Sequence, residues 1–443
     1  MKNSRWIPPQ ETTKREELLL KRLTRTKKLF AFLRQHRSEL FDEAFQEELS
    51  AMYRQTDEGK APVAPALLAM AVLLQAYTGA SDAEAVELTV VDARWQLVLD
   101  HFGEDSPAFS QGALQAFRQR MIRYDMDKRL LERTAMLARQ HGGFDSKKLP
   151  KDLRIAVDSR PLEGAGRVED TFNLIAHAAR ILLREAARLT ARTAEDIAEE
   201  IGLKCLTASS VKRGLDIDWS DAEAKQSALD RVLLEAAGVQ VWVDAKLGAV
   251  ASTPPLSEQI ATLQRLRNQD LEPDPEGSGA VRIKRGVACD RQVSLSDPEM
   301  RHGRKTKSKR FNGYKSHIAL DLDARVIWAC AVTPANLPEG TAIESLKSDL
   351  GKLEVSEWHI DRGYISASEI HAAHGAGMAV FCRPWRSKVP GRFGKEDFRF
   401  NFRKKTVTCP QAVTIPIQLG TRAKFPADAC AACPRREQCT RSS

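Results

Sequence analysis

The sequence predicts a mixed α/β protein: an all-helical N-terminal region, then a sheet-containing core interrupted by a large helical insertion. Three observations carry that expectation. Apolar residues recur at helical spacing through residues 37–140. The period drops to two at residues 153–158 and again between 314 and 333, as half-buried strands require. Between those stretches, residues 168–270 return to helical spacing, so a long insertion leaves the core and comes back to it.

Taken in order, residues 1–36 form a basic arm or helix. Residues 1–29 carry nine Lys or Arg against three Glu, and Leu19, Leu20, Leu23, Leu29 and Phe30 give 16–32 the spacing of one helix. Residues 37–140 form a helical domain suited to binding DNA ends or to dimerisation. In it Phe41, Phe45, Leu49 and Tyr53 recur every four residues, and Pro65 opens a strongly apolar helix through Gln75. Gly79 ends that helix, and Ser81 or Asp82 caps the next, which runs over 83–99 with Trp95 in the core. A further helix covers 110–121.

A core domain spans 150–390. Leu153, Ile155 and Val157 share one face of a strand that ends at Asp158. The insertion, about 168–270, holds helices at 172–189, 194–201, 222–236 and 256–266, and 272–279 is a Pro/Gly/Ser-rich linker. Strands follow at 314–322 and 326–333 with a hairpin between them, then a helix at 340–353. A short strand ends at Asp361, a helix covers 366–374, and a strand covers 378–382. Residues 391–443 form a cysteine-containing segment.

Composition narrows the function. The 443 residues, 42% hydrophobic, suffice for a sizeable core. No apolar run has transmembrane length, and the polar first residues lack a secretory h-region, so the expected location is the cytoplasm, with no membrane partner. A net charge of +9 and a pI near 9.1 point to polyanions, usually nucleic acid. A merely solvated basic surface gives the same numbers, and composition does not choose between the two.

Two carboxylates draw the chemical reading. Asp158 and Asp361 each end a short strand, where an acid is buried on one side and needs a partner or a metal. Acids from neighbouring strands can share Mg2+ or Mn2+ for in-line attack on a phosphodiester. The plainer alternative is that each Asp caps a turn. Ahead of the 314–322 strand runs an acid-free basic series: Arg301, Arg304, Lys305, Lys307, Lys309, Arg310 and Lys315. Beside a phosphodiester-cutting cleft these, with Arg362, are candidate DNA-backbone contacts; elsewhere they are a solvated loop. Arg383, Arg386 and Lys388 extend the cationic set, and Trp385 among them is either a base-stacking or a packed tryptophan. Cys205, Cys289, Cys330 and Cys382 are scattered and fit free thiols of a reducing compartment. Cys409, Cys430, Cys433 and Cys439 have a C-x2-C pair plus two outlying cysteines. That spacing fits a tetrahedral Zn2+ site, and it fits four free thiols as well.

The local words around these residues are more specific. Val157-Asp158-Ser159 is followed by Gly164-Ala165-Gly166. Ser296-Asp297-Pro298-Glu299 leads to Phe311-Asn312-Gly313-Tyr314-Lys315-Ser316-His317, then Val332-Thr333-Pro334-Ala335-Asn336, then Asp361-Arg362-Gly363-Tyr364. With the helical segment 65–95 and Phe117-Arg118-Gln119-Arg120, the chain resembles the DDE transposases of bacterial insertion sequences. The resemblance implies an RNase H-like catalytic core with Asp158 on its first strand. It implies that Asp158 and Asp361 are two acids of a Mg2+- or Mn2+-binding triad. It also implies cleavage and transfer of double-stranded DNA at terminal inverted repeats and at a target, and it suits a homodimer or larger synaptic assembly. The family's third acid lies in a Tyr-x2-Arg-x3-Glu-x6-Lys pattern, and no such pattern follows Asp361. The expectation is therefore a C-terminally truncated transposase with impaired activity. The alternatives are an inactive DNA-binding protein that regulates transposition, or a structure-specific nuclease on the same fold.

Overall fold

Caps and breaks decide where the N-terminal helices begin and end. In the computed structural model the described residues are 5–54, 62–143, 148–274, 281–306, 308–351, 353–383, 389–418 and 421–439. Thr13 and Glu16 form a reciprocal capping box that starts α1 (Lys14–Thr26). The backbone leaves helical geometry at Lys27 (φ −140°), so the single helix expected over 16–32 is two, with α2 at Lys28–Leu40. Asp42 caps α3 (Glu43–Ala51). Pro65 sits in the first turn of α4 (Pro65–Thr78), and Gly79 (φ +73°) supplies the left-handed residue that ends it. Ser81 and Glu84 box the start of α5 (Asp82–Val91). The Asp92 carboxylate then takes the Arg94 N–H and starts α6 (Ala93–Leu99), so the expected helix 83–99 is also two. Ser110 caps α7 (Gln111–Arg123), and α8 (Met126–Gln140) follows.

Strand β1 (Leu153–Glu163) does not end at Asp158 but runs five residues further. The insertion holds α9 (Thr171–Leu189), α10 (Ala194–Glu200), α11 (Val211–Leu215), α12 (Ala222–Leu247) and α13 (Leu256–Asp270). Helix α12 outruns the expected 222–236 because Val239, Trp242 and Val243 continue its buried face. The stretch read as a linker is flanked by an antiparallel pair, β2 (Leu271–Pro273) and β3 (Val281–Ile283); residues 275–280 lie outside the described residues. Next come β4 (Arg301–Arg304), β5 (Arg310–Asp321) and β6 (Ile327–Pro334). They are followed by α14 (Ile343–Leu350), β7 (Val355–Ile360), α15 (Ala367–Gly375) and β8 (Ala379–Phe381). A three-stranded sheet that the sequence did not suggest follows, from β9 (Arg399–Asn401), β10 (Thr406–Thr408) and β11 (Thr414–Pro416). The short helices α16 (Ala427–Ala431) and α17 (Arg436–Cys439) close the described chain.

The large sheet has six strands in the order β4-β5-β1-β7-β8, with β6 also on β5. Strands β1, β7 and β8 are parallel neighbours. The fold is thus mixed α/β, as the periodicities predict. The chain divides into two compact units, one of 1–158, 318–331 and 342–443, the other of 159–317 and 332–341.

In the first unit the N-terminal helices bury Phe30, Phe45, Met70, Leu74, Trp95 and Phe117 completely. The sheet has its own core, in which Ile155 and Val157 of β1 meet Trp358 of β7, Ile343 and Leu346 of α14, and Tyr364. In the second unit α9 is the central helix; its buried face, including Leu174, Ile175 and Leu182, packs on α12 and α13. Among the described residues no single helix is long and apolar enough to cross a membrane.

Candidate active site

Strand register brings the two singled-out acids together. Val157 is paired with Ile360 across the parallel β1–β7 ladder, so Asp158 and Asp361 are each the next residue along adjacent strands. Asp361 keeps extended backbone (φ −77°, ψ 157°), which continues the alternation of β7. Neighbouring strands stand about 4.8 Å apart, within the reach of one cation for two carboxylates.

Alternation also sets which face they share. Ile155, Val157 and Trp358 point into the sheet core, whereas Arg154, Ala156 and Asp158 on β1 alternate to the other face, with Glu357, His359 and Asp361 on β7. That face carries an ordered polar ladder. Arg154 Nε donates to Glu357 Oε2 at 3.0 Å, and His359 Nε2 reaches the same oxygen at 2.9 Å. The hydrogen bond from His359, then that from Arg154, lowers the Glu357 carboxyl below its usual range. The His359 ring stacks on Phe381, its register partner on β8, with centroids 4.6 Å apart. The charged face therefore rises from Arg154 and Glu357 through His359 to the two aspartates.

The expected one-sided burial of these acids does not occur. Asp158 and Asp361 are both exposed, because alternation turns them away from the core. Burial thus creates no need for a partner; the site rests on their adjacency. What fixes Asp361 is the turn after it. Arg362–Tyr364 forms a single 3-10 turn in which Tyr364 N donates to Asp361 O at 3.1 Å, and the Tyr364 ring is buried in the sheet core. Among the described residues, the pair is not joined by a third ligating side chain into a cluster with all ligand atoms within 4.8 Å of one another. The one such cluster there is His36, Glu39 and His141, in the N-terminal helices.

The neighbouring words have structural work. In the second unit, a Cβ on Gly166 would collide with Ser294 and Asp297, and one on Gly164 with Met300. Gly313 (φ +141°) lies against the backbone of 162–164, where a side chain has no room. His317 is fully buried, bonded to Thr333 Oγ1 at 2.9 Å, and burial lowers its pKa; it is a packed strand residue. Ser159, which follows Asp158, donates to Glu339 Oε1 at 2.6 Å. Glu339 is the acid that sequence reading overlooked, although it stands only three residues past the Pro334-Ala335-Asn336 word.

The basic run is a hairpin, not a loop. Arg304 and Arg310 are register partners across β4 and β5, and Lys305 N donates to Lys309 O at 2.9 Å in the turn. Arg304, Lys305, Lys309 and Arg310 are exposed. Arg301 departs from the set: it is 7% exposed, and its guanidinium is taken by Asp290 at 2.7 Å and by the carbonyls of Pro298 and Met300. Lys315 donates to Leu337 O at 2.6 Å. Arg362 is half-buried in the turn after Asp361. Lys307 lies outside the described residues, as do Trp385, Arg386 and Lys388. The four clustered cysteines line one cavity between β10, β11 and the last two helices. Burial, then the nearness of the Cys433, Cys409 and Cys430 thiols, pushes the Cys439 thiol up.

Residues 20–120, from within α1 to within α7, match the family model described as Transposase domain (DUF772). No curated protein and no solved structure matches the chain. The match supports a transposase, and with it a protein that interacts with DNA and processes it. It does not extend to Asp158 or Asp361.

Proposed function

We propose that this chain is a DDE-type DNA transposase that acts on the ends of its element, with Asp158 and Asp361 holding Mg2+ or Mn2+ on an RNase H-like sheet. The observation that carries the reading is the Val157–Ile360 register, which sets two exposed carboxylates side by side, Asp158 within β1 and Asp361 just past the end of the parallel β7. A donor set of carboxylate oxygens fits a hard divalent cation and not Zn2+. When bound, such an ion supplies Lewis-acid activation of the phosphodiester and of the attacking hydroxyl. The rest is the work of the chain itself. Asp158 and Asp361 would hold the ion, the Tyr364 anchor holds the Asp361 turn, and the Arg154–Glu357–His359 ladder stiffens the face beneath them. The exposed cations of the β4–β5 hairpin suit DNA phosphates. The parallel flank β1-β7-β8, with the β5–β6 hairpin on the other side of β1, supports an RNase H-like core.

The test is Mn2+-dependent cleavage and joining of labelled terminal-repeat DNA by the wild type and by Asp158→Ala and Asp361→Ala. Each substitution should lower cleavage at least about 100-fold. Cleavage that survives both would sink the assignment. Cleavage without strand joining would indicate a nuclease. Specific binding with no cleavage would favour a second reading, a DNA-binding regulator of transposition.

A further inference from the structure

We propose that Cys409, Cys430, Cys433 and Cys439 form a structural Zn2+ site that holds the C-terminal subdomain, residues 391–439, in its fold. The first observation is convergence. The four cysteines come from three separate local structures, yet all line one cavity of about 430 Å³. Cys409 sits in the β10–β11 turn, where its N–H donates to Val413 O and its carbonyl accepts from Ala412 N, both at 2.9 Å. Cys430 is in α16, and Cys433 N donates to Cys430 O at 3.3 Å, a tight turn that presents the C-x2-C pair to one side. Cys439 ends α17, and the neighbouring Gln438 carbonyl accepts from Phe393 N at 2.8 Å, which ties the start of the subdomain to its last helix.

The second observation is independent of the cysteines. This subdomain has almost no apolar interior: Val407 and Ile415 are its only buried hydrophobic residues among those described. Phe400 and Phe402 of the β9 region are 46% and 68% exposed. A unit of this size with so small a core needs a covalent or metal crosslink to stay folded. The cysteines form no disulfide; all four are free thiols.

The donor set then selects the ion. Four sulfurs are soft ligands that favour Zn2+ over Mg2+, and four protein ligands leave no open position, so the site is structural and not catalytic. Four Zn–S bonds of about 2.3 Å impose sulfur separations of about 3.8 Å. The thiols ring the cavity more widely, since among the described residues no cluster of them has all its sulfurs within 4.8 Å of one another. Binding therefore draws the β10–β11 turn and the last two helices inward and releases thiol protons.

The test uses the full chain purified under reducing conditions without added metal. It should carry about one zinc per chain, and Cys409→Ser or Cys433→Ser should lower that at least tenfold, whereas Cys289→Ser, an exposed cysteine of the other unit, should leave it unchanged. Because a ligand variant can misfold, the wild type is also loaded with Co2+ in place of Zn2+. A thiolate-to-cobalt charge-transfer band with intense tetrahedral d–d absorption is expected. Zinc-free protein that yields no such spectrum, or zinc retained by both variants, overturns the proposal. So does a disulfide among the four cysteines.

Discussion

Arg37 shows how much one residue can hold in the helical domain. It is 1% exposed, and its guanidinium donates to Leu97 O at 3.2 Å, Val98 O at 3.0 Å and Pro9 O at 2.7 Å. It therefore satisfies the carbonyls at the end of α6 and pins the N-terminal arm at once. Burial, then the neighbouring Arg34, lowers its pKa to about 10, so it stays charged at neutral pH. Arg37→Met keeps the packing volume but leaves three carbonyls without their donor, and should cost about 2–4 kcal/mol in urea unfolding at pH 7. A loss within experimental error would mean that water replaces the guanidinium. Nothing in the sequence marked this arginine, because its partners are backbone atoms some 28 and 60 residues away. The two aspartates were legible because strand alternation and a following DRGY word surround them. Their adjacency was not: it depends on a register between segments two hundred residues apart. Their exposure was misjudged, since a strand-end acid was taken to be half-buried and both lie on the face opposite the core.

For the elements, two helix breaks escaped the periodic reading. The apolar spacing runs smoothly through Lys27 and Asp92, yet the helices break there, at Asp92 because its carboxylate captures the Arg94 N–H. Helix periodicity elsewhere was a good guide, as α4, α7 and α9 show. The junction of α4, α5 and α7 illustrates a word whose place was visible and whose role was not. Arg118, in the Phe117-Arg118-Gln119-Arg120 stretch, grips Asp82 through both oxygens at 2.6 and 2.5 Å and donates to Gln75 Oε1 at 2.9 Å. The Arg118 hydrogen bonds, then that of Gln75, hold the Asp82 pKa at about 2 against an ordinary 3.8. A carboxylate lowered on folding stabilises the fold above its unfolded pKa, and that contribution fades as the pH falls towards its folded pKa. The window is thus from about 4 down to about 2. Arg118 is 34% and Asp82 22% exposed, so after solvent screening the pair is worth about 1 kcal/mol at most. Arg118→Ala should lower Tm at pH 7, and the difference from wild type should shrink as the pH is taken from 4 to 2. A difference that is constant with pH would assign the effect to lost packing.

For the whole molecule, the largest features were readable from periodicity alone: helices first, then a mixed sheet interrupted by a helical unit with its own core. The three-stranded C-terminal sheet was not, since strands of three residues leave no periodic trace. The charge of +9 was equally plain, but composition does not say whether it acts diffusely or at one place. The fold shows one place where that charge is concentrated. On the β4–β5 hairpin, Arg304 faces Arg310 across the ladder with Lys305 and Lys309 in the turn, and among the described residues no carboxylate pairs with any of the four. Like charges placed directly opposite destabilise a hairpin, so this arrangement costs stability that bound phosphates would offset. If the hairpin grips the DNA backbone, each lost phosphate contact reduces the salt dependence of binding by about 0.9 in the slope of log K against log salt. Arg304→Ala with Arg310→Ala should then flatten that slope by about 2 and weaken binding to terminal-repeat and unrelated duplexes alike, because phosphate contacts carry no sequence information. The same double variant removes the cross-strand repulsion and should leave Tm unchanged or slightly higher, which rules out misfolding as the cause. A slope equal to that of the wild type would show that the basic excess acts diffusely and that the hairpin stands clear of the DNA.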